Sequence, residues 1–266
     1  MTETTTLFLL LFGTAAAVSA LGFLRLVWFV SIGYGYAIAA MAVVLGWRLQ
    51  WGGPGLVAAH LVLLFLYGAR LGTHVLRRGR QPAYQQAARA SYGEPTAGLG
   101  NKVAIWIGVS LLYVTMFSPA AFHGLRPDAG HGVVATGLGL MAAGLILQGW
   151  ADAQKAAAKR AAPERFCDHG LFAWVRCPAY LGELVFWAGN WVAGVPAYGQ
   201  WWHWVMALFG LICIVLIMVG ATKRLEASQQ KRYGQLPEFQ RYTQTVPILI
   251  PWVRLYSLKG VKWALG

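Results

Sequence analysis

Long apolar stretches separated by short polar segments dominate the pattern of hydrophobic and polar positions along this chain. A helix needs about 20 predominantly apolar residues to cross roughly 30 Å of hydrocarbon. We predict seven transmembrane helices, at residues 5–24, 26–47, 54–72, 103–122, 132–151, 180–198 and 201–221. The sixth is the least regular of these stretches because it contains Glu183 and Pro196.

The composition agrees with a polytopic membrane protein. Of the 266 residues, 58% are hydrophobic and only 12% are charged, which is too apolar for an ordinary soluble domain. The three cysteines form no CxxC pair, so we expect neither a structural disulfide nor a zinc site. No internal repeat divides the chain, and we predict a single all-α membrane domain over residues 1–266.

The net charge of +13 is distributed unevenly among the segments that join the predicted helices. If residues 48–53 and 123–131 face one side, that side holds only Arg48 and Arg126 of the 22 Lys and Arg residues. The positive-inside rule then makes the other side cytoplasmic. We therefore predict that the N-terminus lies outside and the C-terminus inside, a topology that explains the charge without nucleic acid.

The polar segments also carry predictions of helix. Segment 152–168 is rich in Ala and Lys and has no Gly or Pro before Pro163, so the fifth helix should continue past the membrane surface. Apolar and aromatic residues alternate with basic ones near the C-terminus, which predicts an interfacial helix over 252–266.

Polar side chains follow one another at the end of the third predicted helix. Tyr67 and Arg70 are three residues apart and share a helix face, and Arg78-Gly79-Arg80 comes next. Arginine binds phosphate and diphosphate oxygens with two parallel hydrogen bonds. These residues are therefore candidates for holding an anionic cofactor, and the alternative is that they are topological charges at a helix end.

Two more polar groups follow the fifth and seventh predicted helices. Asp152 has Gln148 one turn before it and Lys155 one turn after it. These side chains could form hydrogen bonds with the ribose or adenine of a ligand. The alternative is that Asp152 and Lys155 form an ion pair within the helix. After the last span, polar residues recur at helical spacing: Thr222, Glu226 and Tyr233, with Arg224 beside them. They could bind a ligand or form the solvent-exposed face of a helix, and the pattern suits both equally well.

The densest polar chemistry lies in residues 168–183, where a charged turn runs directly into the sixth predicted helix. A carboxylate at the mouth of a membrane helix is costly to bury and needs a partner or a function. Arg176, Tyr180 and Glu183 should gather at the N-terminus of that helix, where backbone N–H groups favour an anion. The structural alternative is that Glu183 pairs with Arg70 or Arg176.

Tyr34 and Tyr36 lie within the second predicted helix, beside Gly33 and Gly35. A buried tyrosine needs a hydrogen-bond partner, and a substrate in a cavity between helices could supply one. The alternative is that this region serves helix packing through its small residues.

The order of these motifs resembles a known family. The motifs are Tyr67-x-x-Arg70, Arg78-Gly79-Arg80, Asp152, Gly170-Leu171-Phe172, Tyr180-Leu181-Gly182-Glu183, Phe239-x-x-Tyr242 and Leu249-Ile250-Pro251. Over about residues 60–252 the chain resembles the steroid 5α-reductase family and its bacterial relatives of the DUF1295 type. The tail motif from Arg224 to Pro251 is shared with the isoprenylcysteine carboxyl methyltransferases.

The resemblance implies a seven-helix protein of the bacterial inner membrane that binds NADPH on its cytoplasmic side. It would reduce a C=C bond conjugated to the ketone of a steroid-like or other lipid substrate. The residues that we predict to contact the cofactor are Arg70, Arg78, Arg80, Asp152, Lys159, Arg176, Tyr180, Glu183, Arg224 and Tyr233. The predicted catalytic residues are Tyr67, which would face the substrate carbonyl, Tyr34 and Glu183. We expect a monomer among membrane lipids, with no metal and no nucleic acid.

The sequence departs from the family's pattern at several positions. Ala179 stands where an Asn is common, and Cys177 stands where bacterial relatives often have His. Ser31 and Ile32 align with a Gln-Glu pair that helps to hold the steroid ketone in the eukaryotic enzymes. The resemblance therefore does not identify a 3-oxo steroid as the substrate. In place of the Gln-Glu pair, a tyrosine of the second helix would polarise the substrate carbonyl.

Two other functions are open on the sequence: a membrane methyltransferase that uses S-adenosylmethionine, and a lipid-binding membrane protein without enzymatic activity. The arginines favour the reductase, because S-adenosylmethionine has no diphosphate and no 2′-phosphate to bind.

Overall fold

The computed structural model describes residues 3–50, 55–79 and 98–261, and this part of the chain is helical, without strands. Its α-helices are α1 (Glu3–Ser19), α2 (Ile32–Arg48), α3 (Gly55–Gly79), α4 (Leu99–Leu125), α5 (His131–Ala161), α6 (Pro178–Gly194), α7 (Trp201–Tyr233) and α8 (Pro237–Thr245). Short 3₁₀ helices lie at Ala20–Phe23, Leu26–Trp28, Gly170–Ala173 and Val195–Ala197. The predicted all-α class is confirmed for these residues.

Six helical segments of the described residues are long and apolar enough to cross a membrane. They are Glu3–Phe23, Leu26–Arg48, Gly55–Gly79, Leu99–Leu125, His131–Ala161 and Trp201–Tyr233. These segments match six of the seven predicted spans and are those of an integral membrane protein.

The remaining predicted span, 180–198, corresponds to α6, which has only 17 residues. At 1.5 Å per residue, α6 is about 26 Å long. It ends at Gly194, and Pro196 follows within the 3₁₀ helix, where a proline cannot continue the α-helical hydrogen bonding. The count of seven spans and the orientation of the chain stay predictions.

Helices α5 and α7 extend well past the predicted spans. Helix α5 ends at Ala161 and α7 at Tyr233, whereas the predicted spans end at residues 151 and 221. The continuation of the fifth helix is thereby confirmed, and good helix formers such as Ala, Lys and Gln account for it.

The interfacial helix predicted over 252–266 is wrong for its described part, residues 252–261, which form turns, a bend and irregular backbone. Two long-range contacts replace the helical hydrogen bonds there. The N–H of Ile248 donates to the carbonyl of Leu255 at 2.8 Å, and the N–H of Leu258 donates to the Glu226 carboxylate at 2.9 Å. Backbone groups that are satisfied by such partners need no helix. Residues 262–266 lie outside the described part of the chain.

The chain divides into two compact units. Unit 1 comprises Met1–Leu138 and Trp191–Gly210, and unit 2 comprises Gly139–Asn190 and Leu211–Gly266. Unit 1 therefore holds α1 to α4, and unit 2 holds most of α5, α6 and α7 together with α8. Whether the chain is a single domain, as predicted, stays a prediction.

Within unit 1, α2 and α3 pack with their backbones in contact. A Cβ atom added to Gly35 would lie 2.6 Å from the nitrogen of Gly72 and 2.8 Å from the carbonyl oxygen of Gly68. A Cβ atom on Gly68 would overlap the carbonyl oxygen of Gly35 and lie 2.7 Å from the nitrogen of Ala39. Small residues four positions apart, such as Gly68 and Gly72, allow this approach in membrane helices.

Unit 2 contains a second crossing of the same kind, between α5 and α6. A Cβ atom on Gly182 would lie 2.7 Å from the carbonyl oxygen of Gly144 and 2.8 Å from the Cγ atom of Gln148. A Cβ atom on Gly144 would lie 2.6 Å from the carbonyl oxygen of Gly182. The glycine of the Tyr-Leu-Gly-Glu motif is therefore a packing residue.

We expect Gly68→Ala to lower the free energy of unfolding by about 1–3 kcal/mol, the usual range for an overpacked core, because the added methyl group forces α2 and α3 apart. Thermal unfolding of the purified protein in detergent measures the loss. Gly108→Ala on α4 is the matched control, because no atom lies within 4 Å of the added Cβ. Equal unfolding temperatures for the two variants would contradict the role assigned to the crossing.

Candidate functional site

Two buried tyrosines of unit 1 meet between α2 and α3. The hydroxyl oxygens of Tyr34 and Tyr67 lie 2.7 Å apart, and their rings pack edge to face with centroids 6.1 Å apart. Tyr67 is fully buried, and Tyr34 is 8% exposed. The glycine crossing of α2 and α3 positions the pair, since Tyr34 precedes Gly35 and Tyr67 precedes Gly68. Two of the three predicted catalytic residues are thus brought into contact.

A hydrogen-bonded pair of phenols, such as Tyr34 and Tyr67, can act as a hydrogen-bond donor. A phenol that accepts a hydrogen bond becomes a better donor, because bonds in a chain polarise one another in a medium of low dielectric constant. Such a pair can stabilise a negative charge that develops on an oxygen atom nearby. Tyr36 does not belong to the pair, and its hydroxyl lies 3.4 Å from the Oγ1 atom of Thr73.

Tyr113 supports the pair and is not among the predicted site residues. Its ring packs against that of Tyr34 with centroids 5.4 Å apart, and its hydroxyl donates to the carbonyl of Phe29 at 2.5 Å. A signal for it exists in the sequence, since a tyrosine inside an apolar stretch needs a polar partner. The identity of that partner depends on the tertiary structure.

A buried histidine pair, likewise absent from the prediction, joins α3 to α4 in unit 1. The Nδ1 atoms of His60 and His123 lie 3.1 Å apart, and both side chains are buried. One of these nitrogens must carry the proton that the other accepts, so neutral rings take opposite tautomers. Each histidine stands isolated in an apolar stretch, and only the contact between helices reveals the pair.

Glu183 lies buried on α6 in unit 2, beside the glycine crossing with α5. It is 6% exposed, and the indole N–H of Trp187 donates to its Oε1 atom at 3.3 Å. Trp187 follows by one helical turn, so the two side chains share a face of α6. The Trp187 indole thus supplies one of the hydrogen-bond donors that a buried carboxylate needs. The sequence analysis predicts that need, because Glu183 lies within the sixth predicted helix.

Arg176, a predicted cofactor contact, is buried and bound to the C-terminal part of the chain. Its guanidinium lies 3.8 Å from the Glu226 carboxylate and donates to the carbonyl of Tyr256. The other oxygen of Glu226 accepts the N–H of Leu258. These contacts favour a structural role for Arg176, and its cofactor role stays a prediction. They also identify Glu226, rather than Glu183, as its ion-pair partner.

Lys159 and Tyr233, two more predicted cofactor contacts, lie against each other in unit 2. The Lys159 ammonium donates to the Tyr233 hydroxyl at 2.6 Å and lies 5.1 Å from the centre of the ring. It also donates to the backbone carbonyls of Pro163 and Arg165, at 2.9 and 2.5 Å. The lysine therefore fastens the loop after α5 to the end of α7, and binding of a cofactor would have to share this ammonium group.

The Gly-Leu-Phe motif joins three parts of unit 2. Gly170 has a φ of 62°, in the left-handed region that suits glycine, and the N–H of Leu171 donates to the Gln154 side chain at 3.0 Å. The carbonyl of Phe172 accepts the hydroxyl of Tyr242 at 2.7 Å. Burial raises the pKa of Tyr242, so it stays a neutral donor. Two motifs that are distant in sequence thus form one joint.

Cys177, which stands in place of a family histidine, is buried with Ile248 and Leu249. Burial raises the pKa of its thiol to about 12. The residue is therefore a neutral packing group at pH 7 and has no nucleophilic thiolate.

The other predicted cofactor residues are distributed over both units. Unit 2 holds half-buried Asp152, half-buried Tyr180 and exposed Arg224, unit 1 holds half-buried Arg70 and exposed Arg78, and Arg80 lies outside the described residues.

We expect removal of either partner of the Arg176–Glu226 pair to cost about 3–5 kcal/mol of unfolding free energy, because the remaining charge stays buried. The double variant Arg176→Met/Glu226→Met should recover only part of that loss, because the N–H of Leu258 then lacks its acceptor. Chemical unfolding of the three variants tests this cycle. Arg165→Ala removes an exposed contact with Asp168 and should change stability by less than about 1 kcal/mol. Strictly additive losses would show that the pair is not coupled.

A family described as "Protein of unknown function (DUF1295)" matches residues 18–246. Among curated proteins, no match to this chain is found. The matched region runs from the end of α1 to just past α8 and includes all the predicted site residues. Because it covers far more than half of the sequence, the chain belongs to the DUF1295 family.

Proposed function

We propose that this protein is an NADPH-dependent membrane reductase that transfers a hydride to a C=C bond conjugated to a carbonyl group in a lipid-like substrate. The observation that carries the proposal is the hydrogen bond of 2.7 Å between the buried hydroxyls of Tyr34 and Tyr67. A buried donor pair suits a reaction in which negative charge develops on an oxygen atom. The resemblance to the steroid 5α-reductase family supports the same reaction class.

The tyrosine pair would act on the carbonyl oxygen of the substrate. When bound, NADPH would supply the hydride, which adds to the β-carbon. Tyr67 would donate to the oxygen as it becomes an enolate, and Tyr34 would hold the Tyr67 hydroxyl in place. A donor aimed at developing charge in a dry site contributes about 3–4 kcal/mol to the stability of the transition state. Water or a cytoplasmic side chain would supply the α-proton.

Guanidinium groups near the end of α3 fit an anionic cofactor. Arg70 is half-buried one turn after Tyr67, and Arg78 is exposed two turns farther along the same helix. Arginine matches phosphate oxygens in geometry and charge, whereas S-adenosylmethionine offers neither phosphate nor diphosphate. The donor set in unit 1 therefore favours NADPH over S-adenosylmethionine. A cofactor site on the cytoplasmic face of the bacterial inner membrane would have access to NADPH, and that location is part of the proposal.

We expect NADPH to raise the unfolding temperature of the purified protein, and S-adenosylmethionine to leave it unchanged. A ligand at 100 times its Kd stabilises the folded state by about 2.7 kcal/mol. Arg70→Gln and Arg78→Gln should weaken the effect. Arg48→Gln is the control, because Arg48 pairs with Glu3 at the surface. Stabilisation by S-adenosylmethionine would favour the methyltransferase, and stabilisation by neither would favour a lipid-binding protein.

We expect Tyr67→Phe to lower kcat by about 10²–10³-fold, the effect of removing one donor to a developing oxyanion. Tyr34→Phe should lower it less, because Tyr67 keeps its own hydroxyl. Tyr36→Phe should retain the wild-type rate, since Tyr36 contacts Thr73 instead. NADPH oxidation is followed by absorbance with fractionated membrane lipids as the source of enones. A Tyr67→Phe protein that binds NADPH and works at the wild-type rate would refute the assigned role.

A further inference from the structure

Two segments of unit 2, one before α6 and one after α8, present exposed aromatic side chains outside the candidate membrane spans. Trp252 is 84% exposed and Trp174 is 63% exposed, and their rings pack edge to face with centroids 6.3 Å apart. Ile250 and Val253, beside Trp252, are also exposed. We refer to these four residues as the tryptophan patch. Exposure of these apolar side chains to water would be unfavourable, so we expect another molecule to cover the patch.

Specific contacts hold the backbone of the loop that carries Trp252. The hydrogen bond from Ile248 to Leu255 closes the loop, and the backbone of Trp252 has a φ of 63°. That left-handed conformation is rare for a bulky side chain and persists only where the surroundings impose it. Beneath the loop, Ile248 is buried with Leu258, whose N–H is bound by Glu226. Three of the four side chains of the patch, those of Ile250, Trp252 and Val253, therefore stand on a loop that is held by specific contacts.

The charged residues of the loop that carries Trp252 have one sign. Arg254 and Lys259 are exposed, and residues 247–261 contain no Asp or Glu. Positive groups beside amphipathic indole rings match the interface of a bilayer, where tryptophan is enriched and anionic headgroups attract Lys and Arg. Trp174 also precedes Pro178, the first residue of α6, by four positions, which sets the patch beside the predicted membrane boundary.

We propose that the tryptophan patch inserts into the headgroup region of a bilayer that contains anionic lipid, with Arg254 and Lys259 contacting the lipid phosphates. Four side chains are too few for a stable protein interface, which buries about 800 Å² on each partner. This interaction would hold the C-terminal loop at the membrane surface. The Arg176–Glu226 pair, which forms hydrogen bonds with that loop, would be held there with it. The proposal is independent of the proposed reductase activity.

A spin label at position 253 tests the location of the patch. Val253→Cys is labelled in a Cys167→Ser/Cys213→Ser background, in which Cys177 is buried and protected. The protein is placed in nanodiscs of phosphatidylcholine, with and without phosphatidylglycerol. We expect the label to collide more often with oxygen than with a water-soluble nickel chelate, and the difference to grow with phosphatidylglycerol. A label at Ala157→Cys, exposed on α5 beyond its predicted span, should favour the nickel chelate in both bilayers.

Arg254→Gln/Lys259→Gln should abolish the effect of phosphatidylglycerol without changing the unfolding temperature. Three outcomes would overturn the proposal: a label at 253 as accessible to nickel as the label at 157, spin–spin broadening that shows a second copy at the patch, or shielding from both reagents. Nucleotide binding is measured on the same samples, so failure of this proposal is distinguishable from failure of the proposed function.

Discussion

Backbone contact between helices is the constraint on which the placement of the buried polar groups depends. Hydrocarbon gives helices no hydrophobic reason to associate, so close approach through small residues must supply much of the packing. Gly35 and Gly68 provide it in unit 1, and Gly144 and Gly182 provide it in unit 2. In each unit a functional candidate lies next to such a glycine. The hydroxyls of Tyr34 and Tyr67 lie close together because the neighbouring glycines have no side chains to keep α2 and α3 apart.

Polar contacts within unit 2 give the 168–183 block a structural role, and the cofactor roles predicted for its residues stay predictions. Arg176 binds Glu226 and the carbonyl of Tyr256, and Phe172 accepts a hydrogen bond from Tyr242. Both contacts tie this block to the C-terminal part of unit 2. A buried cation that already has a buried carboxylate is poorly suited to bind a phosphate, because a ligand would have to displace the pair. The block therefore connects separate parts of unit 2, and the roles predicted for Arg176, Tyr180 and Glu183 in binding or catalysis stay predictions.

The placement of the tyrosine pair bears on the proposed reductase. The proposed polarising group lies in unit 1, where Tyr67 is fully buried and its hydroxyl contacts that of Tyr34. No carboxylate is needed at the aligned positions Ser31 and Ile32 if a phenol pair performs that task. Ser31 and Ile32, in place of the Gln-Glu pair of the eukaryotic enzymes, are thereby compatible with the proposed reduction of an enone.

The sequence by itself determined the membrane class, the helical content and six of the spans, because an apolar stretch long enough to cross a bilayer has few alternatives to a helix. It also indicated that Glu183 needs a partner and that Tyr34 and Tyr67 matter. Only the tertiary structure decided which polar groups meet: Tyr34 with Tyr67, His60 with His123 and Arg176 with Glu226. A helical pattern shows which face of a helix is buried but not which helix covers it. The loop at 252–261 shows the same limit, because its alternating pattern suits an interfacial helix until contacts with Glu226 and Ile248 bind its backbone elsewhere.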